Sequence, residues 1–269
     1  ALVSATPATA AAPAQWPAEV SAVYRITFGG MDVGRFHYSS KVNGASYTMD
    51  ARADIKAVLG AFEWQGRTSS SGSASSGAPK PQAYNFDFKS SAIIGRDKTG
   101  FVRMGFKEGA VSALSVQPTK PPPPDMVPLK DEHKQNVLDP LSAVMALSLG
   151  SAQRPCDRKL AIFDGKQRFD LAFAFRGQQK IAERRPSGQP GIGFVCKVRY
   201  TPIAGYRQNE ETREFIKNTE IEMVFRPVPS ANLSIPYQVT IPTAAGTAML
   251  IAEKIAITTP GRAVIALSN

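Results

Sequence analysis

Residues 20–54 read VSAVYRITFGGMDVGRFHYSSKVNGASYTMDARAD, and this stretch decides the fold class. Side chains of a β-strand alternate between two faces, so a period of two marks a half-buried strand. Residues 22–28 (Ala-Val-Tyr-Arg-Ile-Thr-Phe) read as a first strand, and Gly29-Gly30-Met31-Asp32-Val33-Gly34 reads as the turn after it. Residues 33–42 and 46–55 flank Asn43-Gly44. That dipeptide suits the positive-φ positions of a type I′ hairpin turn. Strands joined by turns this short pair antiparallel, so the sheet is expected to be antiparallel.

The same texture continues along the chain. Residues 55–62 fit a helix or a strand equally well. Residues 69–81, SSSGSASSGAPKP, read as a low-complexity loop, either a mobile flap or a solvated connector. Strand-like text resumes at 84–89, 92–96 and 101–106. Lys120-Pro-Pro-Pro-Pro124 is a stiff polyproline element and the clearest internal break. Next comes one well-marked helix. Asp139 caps it, Pro140 takes its first position, Leu141 to Leu149 is apolar on nearly every face, and Gly150 stops it. A short helix that is apolar all round has to be buried, here against or inside a curved sheet. Beyond it, residues 159–163 and 168–175 flank the hairpin signal Asp164-Gly165-Lys166. Further strands are expected at 193–200, 221–225, 237–241 and 248–258, with a turn at 201–205. Pro227, Pro229, Pro236 and Pro242 point to edges and short strands in the last region. No repeat at a spacing of roughly 20 to 50 residues appears, which argues against solenoids and propellers.

The chain has 269 residues, 43% hydrophobic and 20% charged, enough for one large β-rich domain with its own core. Its longest apolar run falls far below the roughly 20 residues needed to cross a bilayer. Residues 1–15, ALVSATPATAAAPAQ, resemble the tail of a secretory signal or the tether after its cleavage site; an ordinary disordered terminus is the alternative. With no charged n-region and no full apolar h-region, the chain reads as mature or truncated. Cys156 and Cys196 lie beside strand-like runs and outside any C-x-x-C motif. One structural disulfide is the natural reading in an oxidising compartment, against two unrelated buried thiols.

Several elements in order resemble a known family. The opening Tyr24…Gly29-Gly30…Val33-Gly34, then Asp139-Pro140-Leu-Ser-Ala, then Cys156 ahead of Phe163-Asp164-Gly165-Lys166, then Cys196 ahead of Tyr200-Thr-Pro-Ile-Ala-Gly205-Tyr206 are similar to the bacterial domain-of-unknown-function family 3108. The resemblance runs from about residue 20 to 257. It implies an exported envelope protein of Gram-negative bacteria with no established enzymatic activity, so it carries no catalytic residues over. The architecture also resembles open β-barrel envelope proteins such as lipoprotein carriers, in which a curved antiparallel sheet wraps an apolar groove; this is an analogy of fold.

No residue pattern specifies a reaction. The G-x-S-x-G, G-x-x-x-x-G-K-[S/T], complete G-x-G-x-x-G and H-E-x-x-H motifs are absent, so no catalytic or cofactor-binding residue is assigned. Two Cys and two His exclude most zinc and iron–sulfur sites, and no metal ligand is assigned either. His37 falls in an alternating strand and His133 in the segment ahead of the helix; packing or solvation is the plainer account of each. Asp164, Asp170, Glu210 and Glu211 are candidate acids for a polysaccharide or peptidoglycan hydrolase, with ordinary alternatives as turn, strand-face and solvated loop residues.

Lys+Arg of 32 against Asp+Glu of 22 leaves a formal charge of +10. Lys180, Arg184 and Arg185, with Lys197, Arg199, Arg207 and Arg213 near them in sequence, are candidate contacts for an anionic membrane surface or an acidic partner; a scattered solvated surface is the alternative. An exported chain without a nucleic-acid-binding module is a poor candidate for nucleic acid.

The expectation is therefore a mainly β protein. It has a long, curved or spiralling antiparallel sheet or open β-barrel around one buried short helix, stapled by Cys156–Cys196. Residues 1–19 form a tether, and 20–269 form one domain with a Ser/Gly loop at 69–81 and a polyproline break at 118–124. The function expected is non-catalytic support of the envelope from the periplasm, through a lipid-like ligand, a lipoprotein or another protein, without a cofactor. A carrier would show an apolar cavity of roughly 300 Å³ or more.

Overall fold

The computed structural model describes residues 16–57, 61–74, 78–93, 96–119, 121–148, 154–182, 191–261 and 264–268. Seven strands precede the helix: β1 (Glu19–Phe28), β2 (Met31–Asn43), β3 (Ser46–Ala57), β4 (Phe62–Ser73), β5 (Lys80–Ala92), β6 (Lys98–Lys107) and β7 (Ala110–Gln117). Then come α1 (Pro140–Ser148), β8 (Arg158–Phe163), β9 (Arg168–Ile181), β10 (Gly191–Ala204), α2 (Glu210–Asn218), β11 (Ile221–Val228), β12 (Leu233–Thr243), β13 (Gly246–Thr258) and β14 (Ile265–Ser268). Every strand pair is antiparallel, as the hairpin reading requires.

The strands make one sheet in the order β7-β6-β5-β4-β3-β2-β1-β13-β12-β11-β10-β9-β8, with β14 on β13. The two halves of the chain meet where β1 pairs with β13. The sheet does not close strand to strand, because β7 and β8 are its two edges. Instead the segment leading into α1 lies between them. Gln135 bridges to Ala110 of β7, and the Leu138 N–H donates to Ala161 of β8 at 2.9 Å while the Leu138 carbonyl accepts from Phe163 at 3.0 Å. Sealing the seam in this way satisfies backbone groups that bare edges would leave open. The tip of the β8–β9 hairpin also reaches β6. Gly165 sits there at φ 96°, and a side chain on it would collide with Val102.

Where the structure departs from the sequence reading, the reason is local. Met31–Gly34 belongs to β2, and only Gly29 and Gly30 turn the chain. Asn43 pairs with Ser46, so the central turn residues are Gly44 and Ala45. Positive φ occurs at Gly44 alone of the two, which is the demand of a type II′ turn and not of I′. Residues 201–204 extend β10, and the turn falls at Gly205-Tyr206. Glu210 and Glu211 open helix α2, with Asn209 Oδ1 accepting from the Thr212 N–H. β12 is eleven residues long and lies between β11 and β13. Its Pro236 is tolerated because pairing to β13 begins only at Gln238, and the β11 register slips at Phe225, opposite Pro236.

The largest departure is at the two ends of residues 69–81, expected as a loop; residues 75–77 between them lie outside the described residues. Ser69–Ser73 completes β4 and Lys80 begins β5. Ser70 is 3% exposed, and a side chain added at Gly72 would press on the Tyr47 hydroxyl at 2.7 Å. Small residues are what the sheet needs where it passes under a helix. The expected tether is also shorter than 1–19: Trp16 is buried and β1 begins at Glu19. Residues 1–15, and with them the rest of the tether, lie outside the described residues, as does Gly150.

Candidate functional site

The interior is organised about α1, which touches β4, β8 and β12. Its start is built as the residue types dictate. Asp139 Oδ1 accepts the backbone N–H groups of Leu141 and Ser142, both at 3.0 Å, which satisfies donors that the first helical turn leaves free. Asp139 Oδ2 accepts from the hydroxyls of Ser142 (2.5 Å) and Ser70 (3.0 Å), and Tyr47 shares a 2.7 Å bond with Ser142. Asp139 and Ser142 are fully buried. Burial pushes the Asp139 carboxyl above its usual range, although the bonds from Ser142, Ser70 and Leu141 pull the other way. The Tyr47 hydroxyl is pushed up to about 12 by burial and stays protonated. Each group in this knot spends its hydrogen-bonding capacity on its neighbours, so its work is to seat the helix.

Beside the helix lies an apolar cavity of about 230 Å³. It is bounded by Val144, Met145 and Leu147 of α1, by Tyr24 and Phe36 of β1 and β2, and by Ile235 of β12. The size falls below the roughly 300 Å³ expected of a carrier for a whole small molecule. It suits an alkyl chain or a single ring. Its polar wall atoms are mostly engaged: the Tyr24 hydroxyl donates to the Pro236 carbonyl at 2.8 Å and the Tyr38 hydroxyl to Met49 Sδ at 3.4 Å. Burial holds both phenols protonated, Tyr38 at about 12. Trp16 is the exception. The residue is 8% exposed and lines the cavity, and among the described residues its buried indole N–H has no acceptor. A buried donor left unpaired costs free energy that an incoming acceptor oxygen recovers. The sequence reading passed over Trp16 because it lies in the expected tether; the available signal was an aromatic residue immediately ahead of the first strand.

A wider cleft of about 910 Å³ lies against α2. Of the four candidate acids it takes in Glu211 alone. Glu214, three positions on, also lines it, and both stand on one helix face and thus on one wall. Asp164 accepts the N–H groups of Lys166 and Gln167 in its own turn, and burial raises its pKa. Asp170 is held by Arg168 at 2.6 Å and Lys159 at 3.2 Å. Burial would raise the Asp170 pKa, but these two cations outweigh it and the net shift is downward. No two of the four predicted acids line this cleft together. Among the described residues no group of three or more His, Cys, Asp or Glu is arranged to hold a metal ion. His37 is half-buried on β2, and His133 Nδ1 accepts the Lys130 N–H at 3.1 Å.

The predicted anionic-surface contacts separate in space. Lys180 of β9 pairs in register with Ile192, while Lys197 and Arg199 stand farther along β10, the nearer by five residues or roughly 17 Å. Lys197 is bonded to Glu220 at 3.1 Å, and Arg176 binds Glu220 and Glu222 at 2.6 and 3.1 Å. Acids therefore interleave with these cations. Arg184 and Arg185 lie outside the described residues. The predicted disulfide is formed: Cys156 and Cys196 are bonded with their Cα atoms 5.4 Å apart, and both are buried.

An open, barrel-like antiparallel sheet wound about one apolar helix, with a small apolar cavity beside that helix, is the class of protein that this geometry defines. The chain belongs to a family whose model, described as a protein of unknown function (DUF3108), matches residues 23–253. No curated protein matches it. Among solved structures it is similar to a β-barrel-like protein of domain of unknown function DUF1849 from Brucella abortus, at 13% identity and a TM-score of 0.54, covering 90% of this chain and 99% of the other. That likeness is one of fold. Among the described residues no helix is long and apolar enough to cross a membrane.

Proposed function

We propose that this chain is a non-catalytic protein of the periplasm that supports the cell envelope by holding the apolar chain of a lipid-like ligand, such as an acyl group of a lipid or lipoprotein, in the cavity beside α1. The observation that carries this is the Trp16 wall. An apolar cavity walled by a tryptophan whose buried N–H is unpartnered among the described residues matches an alkyl chain that bears one acceptor oxygen. The buried disulfide fits an oxidising compartment, and export supplies one.

The two tryptophans of the chain, Trp16 and Trp64, make the test direct. Bromine quenches indole fluorescence at short range, so titration of Trp64→Phe protein with brominated palmitic acid reports on Trp16. Saturable quenching is expected in Trp64→Phe and much weaker quenching in Trp16→Phe. Val239→Phe, which fills the cavity from its half-buried rim, is expected to weaken binding while leaving the fold intact. Absence of quenching in Trp64→Phe, together with lipid-free extracts of protein purified from its native compartment, would sink the reading.

A further inference from the structure

A second recess lies on the outer face of the sheet, and strand register explains its shape. Across β1, β2, β3, β4 and β5 one row of facing residues runs Ser21, Ser39, Asp50, Ser69, Asn85. The next row runs Val23, His37, Arg52, Arg67, Asp87. Short side chains beside long ones leave a groove of about 540 Å³, whose lining includes all ten residues of both rows.

The groove contains an electrostatic mismatch. Arg52 and Arg67 are directly opposed across β3 and β4, both exposed, and among the described residues neither makes an ion pair. Like charges opposed in this way repel, and sheets ordinarily avoid the arrangement. Other arginines on this part of the sheet are compensated: Arg25 and Arg35 by Glu253, and Arg103 by Asp87 at 2.6 Å. Asp87, the cross-strand partner of Arg67, is thereby taken by another residue. Directly opposed Cβ atoms stand about 5 Å apart, so two guanidinium forks can converge on one tetrahedral oxyanion. The adjoining row offers what a polyhydroxylated body needs: the Asp50 carboxylate as acceptor, the Asn85 amide, which donates to Ser69 at 3.4 Å, and the hydroxyls of Ser21 and Ser39.

We infer that this groove binds a phosphorylated sugar, with the phosphate between Arg52 and Arg67 and the sugar hydroxyls on Asp50 and Asn85. The site is independent of the cavity beside α1, which opens to the opposite face of the sheet.

Calorimetric titration with glucose 6-phosphate, glucose and inorganic phosphate tests it. Glucose 6-phosphate is expected to bind more tightly than either part. Arg52→Gln and Arg67→Gln are each expected to weaken it by about tenfold, the size of one lost charge-assisted contact. Asp50→Asn is expected to weaken glucose 6-phosphate and to leave or improve phosphate. A purely structural role for the arginines would lower the melting temperature of these variants, whereas relief of repulsion is expected to leave or raise it. Unchanged glucose 6-phosphate affinity in the double arginine variant overturns the assignment. So does equal affinity for inorganic phosphate, or no saturable binding at millimolar ligand.

Discussion

Helix α1 is held in two different ways on its two flanks. Toward β3 and β4 the contacts are polar and directional: Asp139, Ser142, Ser70 and Tyr47 form a closed knot of hydrogen bonds. Toward β8–β11 they are apolar. Ala143 and Leu147 pack with Ile162, Phe173 and Phe225 around the Cys156–Cys196 bond. A net hydrogen bond in water stabilises modestly, but it is costly to leave half-made, so the polar flank fixes where the helix sits. Apolar burial is non-directional and large in sum, so the other flank supplies stability. The cavity depends on both flanks, because its α1 wall is placed by the first and supported by the second.

Breaking the apolar flank is expected to have the largest effect. In the chain-entropy account, a crosslink spanning 40 residues contributes about 4 kcal/mol. The double variant Cys156→Ala, Cys196→Ala is expected to lose about that much in urea unfolding while keeping its palmitate site at low temperature. The polar flank comes next. Asp139→Ala removes a helix cap and strands the Ser70 and Ser142 hydroxyls, for about 3 kcal/mol. Here the palmitate site is expected to suffer more than the stability loss alone accounts for, because the helix loses its orientation. If Cys removal abolishes binding and Asp139→Ala spares it, the assignment of roles is reversed.

The smallest effect is in pH dependence, where two buried aspartates are expected to oppose each other. The Asp139 pKa is raised on folding, so the folded state binds more protons than the unfolded one between 3.8 and the raised value. Stability from this group falls as pH rises through that window, and Asp139→Asn removes the fall. The Asp170 pKa is lowered, so its contribution is present above 3.8 and is lost as pH drops through the lowered value. Asp170→Asn is expected to flatten the acid limb. Urea midpoints from pH 3 to 7 separate the two.

Much of the scaffold was legible before any coordinates. Asp139-Pro140 announced the helix because cap, fixed φ and apolar run are all local properties. The cysteines pointed to a bond because they lie beside strands, outside any C-x-x-C motif, behind a start that resembles a post-signal tether; two separate buried thiols were the alternative, and the bond is formed. What misled was composition. Serine and glycine in residues 69–73 signal a loop when taken alone, yet beneath α1 they are the residues small enough to fit, and Ser70 is a partner for Asp139. Trp16 was set aside with the tether for the same reason, since only packing shows that it walls a cavity.

The charge illustrates the division most plainly. Its total, and the clustering of Lys180, Arg184 and Arg185 along the chain, can be read by counting. Arg52 and Arg67 are fifteen positions apart in sequence and drew no notice, while Lys197 looked free and is bound to Glu220. Alternation and caps determined an antiparallel sheet and a buried helix, because those depend on neighbours in sequence, and having only two cysteines left one possible crosslink within the chain. Strand register, the seam at 135–138 and the two recesses were decided by tertiary structure, because a cross-strand neighbour is set by how the whole sheet curls.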